Sequence, residues 1–224
     1  MKKFKIFIAC DTTKIQKVKK IIDNSQNLKI KVGYKFGLEF VNSKDGRKFI
    51  STLKNKVIFL DLKLHDIPNT CLSTLKAVKD LKVNYITMHI NSGLEALSLV
   101  KKNSGKIKIV GVTTLTSLNQ RSLNEIGFTK KLNSIVAQQT KLAKKANLDA
   151  IVCSPKEVKI VKKIFKKEII TPGIRLPNDK KGDQKRVMTP KKAFQNGATS
   201  IVMGRSIISG SIKNNIKKLI KHLR

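Results

Sequence analysis

The chain has 224 residues, enough for one sizeable core, and no apolar stretch in it approaches the length of a membrane-spanning helix. Hydrophobic residues make up 40%, below the usual globular share, but they come in discrete runs such as Val57-Ile58-Phe59-Leu60, which excludes a disordered chain. With 48 Lys and Arg against 14 Asp and Glu, the formal net charge is +34, an excess that normally signals nucleic acid, anionic lipid or an acidic ligand.

The distribution of that charge argues against nucleic acid as a partner. The excess is mostly lysine, spread along presumed helix faces such as Lys17, Lys19 and Lys20 or Lys162, Lys163, Lys166 and Lys167. Arginine, the usual base reader, occurs only at Arg47, Arg121, Arg175, Arg186, Arg205 and Arg224, and aromatic residues for stacking are few. The lysines read mainly as a solvated surface that also attracts phosphorylated metabolites. Cys10, Cys71 and Cys153 are odd in number, far apart and without metal-binding spacing, so no metal is expected and they fit a reducing cytosol as small buried hydrophobes. Met1-Lys2-Lys3 followed by Phe4 to Cys10 imitates a lipoprotein export signal, but its apolar part is short and interrupted by Lys5, so it reads as a first strand.

In chain order, β-branched runs predict strands at 4–10, 28–33, 56–61, 84–90, 107–114, 149–153, 168–171 and 199–203. Amphipathic stretches lie between them, for example Ile15, Val18, Ile21 and Ile22 at helical spacing. Pro68 and Pro155 stand where a first-turn proline opens a helix, and Thr189-Pro190 reads as a cap followed by such a proline. No linker or repeat divides the chain, so residues 1–224 are expected to form one domain. Eight strand–helix units predict an α/β fold of the (β/α)8 TIM-barrel type; a doubly wound open sheet would give a similar local pattern, and the eightfold count favours closure.

A barrel of this kind carries its site at the carboxyl ends of the strands. The polar residues expected there are Asp11, Lys31, Asp61 and Lys63, His89, Thr116, Arg175 and Arg205, from seven of the eight strands. The sharpest cluster is Phe59-Leu60-Asp61-Leu62-Lys63-Leu64-His65-Asp66-Ile67-Pro68-Asn69-Thr70. Alternation places Asp61 and Lys63 on the barrel-interior side, and Asp66 in the turn before the Pro68 helix. An isolated D-x-K-x-x-D also reads as a salt bridge plus an N-cap. A second cluster tips the balance: Thr171-Pro172-Gly173-Ile174-Arg175, Gly182-Asp183-Gln184 and Met203-Gly204-Arg205 fall in loops seven and eight, where such barrels hold phosphate.

These segments, together with Lys31-Val32-Gly33 and Leu115-Thr116-Ser117, resemble the signatures of the orotidine 5′-phosphate decarboxylases, in order from about Ile6 to Ile208. The D-x-K-x-x-D element is shared with sugar-phosphate decarboxylases and synthases of the same suprafamily, which generally use magnesium and are one alternative; a basic nucleic-acid-binding protein built on a barrel, supported only by the charge, is the other. The continuation His65 to Thr70 and Gly182-Asp183-Gln184 select the nucleotide enzyme.

The resemblance implies a cytoplasmic, cofactor-free enzyme that converts orotidine 5′-phosphate to UMP and carbon dioxide, in the last step of de novo UMP synthesis. Lys63 would deliver a proton to C6, Asp61 would sit by the departing carboxylate, and Lys31 and Asp66 would complete an alternating charge array. Asp66, with Ile67 and Thr70, would reach into a neighbouring subunit's site, which implies a homodimer. Asp11 and Lys31 would hold ribose hydroxyls, Thr116 the base, and Gln184, Gly204 and Arg205 the phosphate. Arg175 would lie by that phosphate, under a lid formed by residues 176–186. A fixed ammonium at C6 acts where carbanion charge develops, which removes the need for an electron-sink cofactor. The chain departs from the family at Cys10, where leucine is common, and at His89-Ile90-Asn91-Ser92-Gly93, which replaces a smaller, glycine-richer turn. His65 and His89 read as packed turn residues and His222 as surface.

Overall fold

Short runs of β-branched and aromatic residues form eight parallel strands: β1 (Lys5–Ala9), β2 (Lys31–Gly37), β3 (Val57–Leu64), β4 (Tyr85–His89), β5 (Lys108–Val112), β6 (Ala150–Val152), β7 (Glu168–Thr171) and β8 (Ser200–Met203). Each pairs with its sequence neighbours, and β1 pairs with β8, which closes the barrel in the order predicted. The computed structural model describes residues 4–26, 28, 30–177, 179 and 187–223.

Side-chain alternation divides the strands between two cores. Phe7, Ala9, Phe59, Tyr85, Val110, Ala150, Ile170 and Val202 face inward. The rings of Phe7, Phe59 and Tyr85 meet with centroids 4.9 to 5.6 Å apart and plug the barrel at mid-height. Gly33 is required by that plug: a Cβ there would stand 2.8 Å from the Phe7 ring. The outward-facing residues, Ile6, Ile8, Tyr34, Phe36, Ile58, Leu60, Ile86 and Ile109 among them, pack under the surrounding helices. Helix Ile15–Asn24 buries Val18, Ile21 and Ile22, the stripe predicted from its spacing.

Below the aromatic layer, at the amino ends of the strands, Glu168 gathers a polar stopper. It accepts from Ser200 Oγ (2.7 Å), Tyr85 Oη (3.0 Å), Lys5 Nζ (3.0 Å) and Lys108 Nζ (3.4 Å). Lys5 also donates to Tyr85 Oη. Burial would raise the Glu168 carboxyl, yet Lys5, with the Ser200 and Tyr85 hydroxyls, holds it below its ordinary value. The carboxyl end of the barrel is left open above the rings, and the cavity lies there.

Two sequence expectations are corrected. Strand two does not span 28–33 with Lys31 at its end: Lys31 opens β2, opposite Lys5 of β1, and is exposed at the amino end of the barrel. Pro155 does not open a helix; it lies in a turn, and the helix begins at Val158. Pro68 and Pro190 do occupy first-turn positions, although Thr189 makes no side-chain cap bond. Among the described residues no helix is long and apolar enough to cross a membrane.

Candidate active site

The cavity above the aromatic plug has a volume of about 470 Å3, within the ~300–1,000 Å3 typical of small-molecule sites. Ala9, Phe59, Val112, Val152 and Val202 form its apolar floor and walls. Its polar groups come from several strand ends: Asp11, Lys35, Asp61 and Lys63 from strands one to three, Thr114 and Thr116 after β5, and Arg175, Gly204 and Arg205 after β7 and β8.

The charged side is a continuous array. Lys35 Nζ lies 3.2 Å from Asp11 Oδ1 and 3.2 Å from Asp61 Oδ2, and Lys63 Nζ lies 3.0 Å from the same Asp61 oxygen. Burial would push Asp61 up, but the two ammonium groups outweigh it and hold the carboxyl below its usual value. Burial would likewise lower Lys35, and Asp61 and Asp11 reverse that effect and raise it. Each charge is therefore stabilised by its neighbours, which is how such a cluster survives partial removal from water.

Lys35, not Lys31, is thus the strand-two member of the array. The chain carries two Lys-x-Gly triplets, Lys31-Val32-Gly33 and Lys35-Phe36-Gly37, in the same alternation phase. Only the later one reaches the carboxyl end of β2, because β2 extends to Gly37.

The strand-three segment has an irregular backbone. Leu60 pairs with Ile86 and Leu64 with Met88, so the three residues Asp61, Leu62 and Lys63 stand opposite the single residue Thr87. Lys63 takes up the excess in a left-handed conformation, φ 51°, unusual for a side chain with a Cβ. Thr87, fully buried, closes the gap: its Oγ1 accepts from Lys63 N at 2.7 Å and donates to Asp61 Oδ1 at 3.0 Å. Strain of this kind concentrates at functional sites. Thr87 was missed in the sequence reading; alternation within β4 turns it inward beside Asp61, but only the bulge gives it both partners.

The remaining expected residues divide by position. Thr116, Arg175, Gly204 and Arg205 line the cavity. Arg175 is buried, donates from Nη1 to Ile174 O at 3.0 Å, and is clamped by the paired backbone bonds of residues 173–175 with Met188. Gln184, like Gly182 and Asp183, lies outside the described residues, as does most of the expected lid. Asp66 does not line the cavity within one chain: it is exposed, and its Oδ1 accepts from Ile67 N at 2.7 Å. Ile67 is 66% exposed beside it, and Thr70 is exposed on the following helix, Pro68–Ala77. His65 and His89 pair with ring centroids 5.2 Å apart behind Lys63 and stay out of the cavity. Burial, His65 and Lys63 all hold His89 below the ordinary histidine value. The Cys10 thiol, pushed up to about 12 by burial, is no nucleophile. Among the described residues no group of three His, Cys, Asp or Glu side chains is placed to hold a metal ion.

A closed barrel whose carboxyl-end cavity is lined by alternating ammonium and carboxylate groups from β1 to β3 and by arginines after β7 and β8 defines the class, a (β/α)8 protein built to hold a small phosphorylated molecule. The sequence model of the orotidine 5′-phosphate decarboxylase / HUMPS family matches residues 5–215, and the chain belongs to that family. It is 43% identical to the orotidine 5′-phosphate decarboxylase of Carboxydothermus hydrogenoformans, over 92% of this chain and 90% of that one. It is 42% identical to the enzyme of that name from the Wolbachia of Culex pipiens, over 96% of each chain. The crystal structure of orotidine 5′-phosphate decarboxylase from Lactobacillus acidophilus superposes with a TM-score of 0.83 at 30% identity, covering 99% of both chains.

Proposed function

We propose that this protein is an orotidine 5′-phosphate decarboxylase, releasing carbon dioxide from its substrate to give UMP in the cytoplasm. The observation that carries the reading is the Asp11–Lys35–Asp61–Lys63 array on the wall of a cavity that Arg175 and Arg205 also line. In this reading the arginines and Gly204, with Gln184, take the phosphate, Asp11 and Lys35 the ribose hydroxyls, and Thr116 the base.

The chemistry then falls to Asp61 and Lys63. The bond between C6 and the carboxylate carbon breaks, its electron pair stays on C6, and Lys63 delivers a proton there as carbon dioxide leaves. The ammonium is already in place when that charge develops, so little reorganisation accompanies the step. Asp61 faces the substrate carboxylate and favours its departure. Asp66, Ile67 and Thr70, exposed outside their own cavity, are the parts a second subunit's site would use, so the active species is a homodimer.

The test is the loss of orotidine 5′-phosphate absorbance on adding purified protein in EDTA, with Lys63→Ala as control. Rapid loss in the wild type and none in the variant is the expected result. No loss with folded wild type would sink the reading and promote a magnesium-dependent sugar-phosphate reaction on the same strand-three motif.

A further inference from the structure

Resting on the decarboxylase reading above, we propose that Gln139 is a positioning residue for the pyrimidine side of the site, acting through Thr114 to set where Leu115 and Thr116 meet the base. Strand β5 ends at Val112, and its ladder continues one residue further, with Thr113 N donating to Val152 O at 3.1 Å. Thr114 is 7% exposed, so its N–H needs a partner inside the protein. That partner is a side chain. Gln139 Oε1, on helix Leu132–Lys145, accepts from Thr114 N at 3.0 Å and from Thr114 Oγ1 at 3.3 Å.

The Gln139 amide is itself anchored, since Nε2 donates to Asn91 Oδ1 at 2.9 Å. Its orientation is thereby fixed: turned over, it would present an NH2 group to the Thr114 N–H. Asn91 lies in the turn after β4. Three elements are tied at one buried amide, 6% exposed. On its outer side Gln139 borders a second cavity of about 550 Å3, so packing there is incomplete and hydrogen bonds carry the restraint. On the inner side Thr114, Leu115 and Thr116 form consecutive wall residues of the catalytic cavity. An unpaired Thr114 N–H would draw this segment towards another acceptor and displace the residues that contact the base.

The experiment compares wild type, Gln139→Leu and Gln139→Glu in steady-state decarboxylation and in amide hydrogen exchange across residues 113–117. Gln139→Leu is expected to raise KM about tenfold with kcat within about twofold, because a binding wall and not the reacting centre is disturbed. It should also speed exchange of that segment selectively. Gln139→Glu keeps the acceptor oxygen, and Asn91 can turn its amide to donate, so most of both effects should be rescued. A folded Gln139→Leu protein with wild-type KM and exchange overturns the proposal, as does a Gln139→Glu protein as impaired as the leucine variant. An inactive wild type would overturn the decarboxylase reading alone, because exchange reports the tether without any substrate.

Discussion

Burial pushes Asp61 towards its neutral form, and the Lys35 and Lys63 ammonium groups reverse that push and hold its carboxyl below the ordinary value, while Asp61 and Asp11 raise Lys35 above its own. The pH consequences follow from the signs. A carboxyl depressed by folding stabilises above its unfolded value and loses that contribution as pH falls through the folded one; a raised lysine stabilises below its unfolded value and loses it as pH rises through the folded one. The stability difference between wild type and Asp61→Asn should therefore stay constant between about pH 5 and 9 and shift against wild type below about pH 4, as read by chemical unfolding at each pH. A change setting in near neutrality would contradict the array. The two lysines of strand two give a sharper test: Lys35→Ala should lower kcat/KM at least about 100-fold and Lys31→Ala leave it within about twofold. Sequence alone could not choose between them, because both triplets obey the same alternation and only the length of β2 decides which reaches the site.

The element that matters most is the carboxyl end of β3. The expected strand 56–61 stops short of the true end at Leu64, and the expectation that Asp61 and Lys63 face the same side is met by a route alternation does not describe. Both line the cavity, but Lys63 does so across a bulge with φ 51°. Thr87 opposite holds the bulge through its hydroxyl. Thr87→Val, which removes that hydroxyl at constant shape, should reduce kcat about tenfold or more and cost about 1–3 kcal/mol of stability, a few degrees in melting temperature. Thr87→Ser should keep most of the activity. If the valine variant matches wild type in both measurements, the bulge does not depend on Thr87.

At the scale of the molecule, the barrel interior is polar at both ends and apolar between them. Glu168 and its donors close the amino end, the rings of Phe7, Phe59 and Tyr85 seal the middle, and the open carboxyl end concentrates the charged side chains. One chain supplies a cavity that Asp66 does not line, so the proposed sharing of sites between two subunits can be tested by mixing. Lys63→Ala and Asp66→Ala proteins, each impaired alone, should regain about a quarter of wild-type activity when refolded together in equal amounts. In half of the dimers one site would have an intact Lys63 from one subunit and an intact Asp66 from the other. No regain, with mixed dimers demonstrated by mass, would place Asp66 outside the neighbouring site.

The eight strands, their order, the Asp61–Lys63 motif and the arginines after β7 and β8 were legible in the sequence, because hydrophobic period and strand-end chemistry are local properties. Three things were not. Which lysine completes the array depended on how far β2 extends; the bonding of Thr87 to the bulge depended on the β3–β4 register; and the Asn91–Gln139–Thr114 tether joins residues distant in sequence. Local pattern fixes which faces are apolar and which residues can close a strand. Register and the meeting of remote polar groups are set only when the barrel closes, since it is closure that buries them and forces each to find a partner.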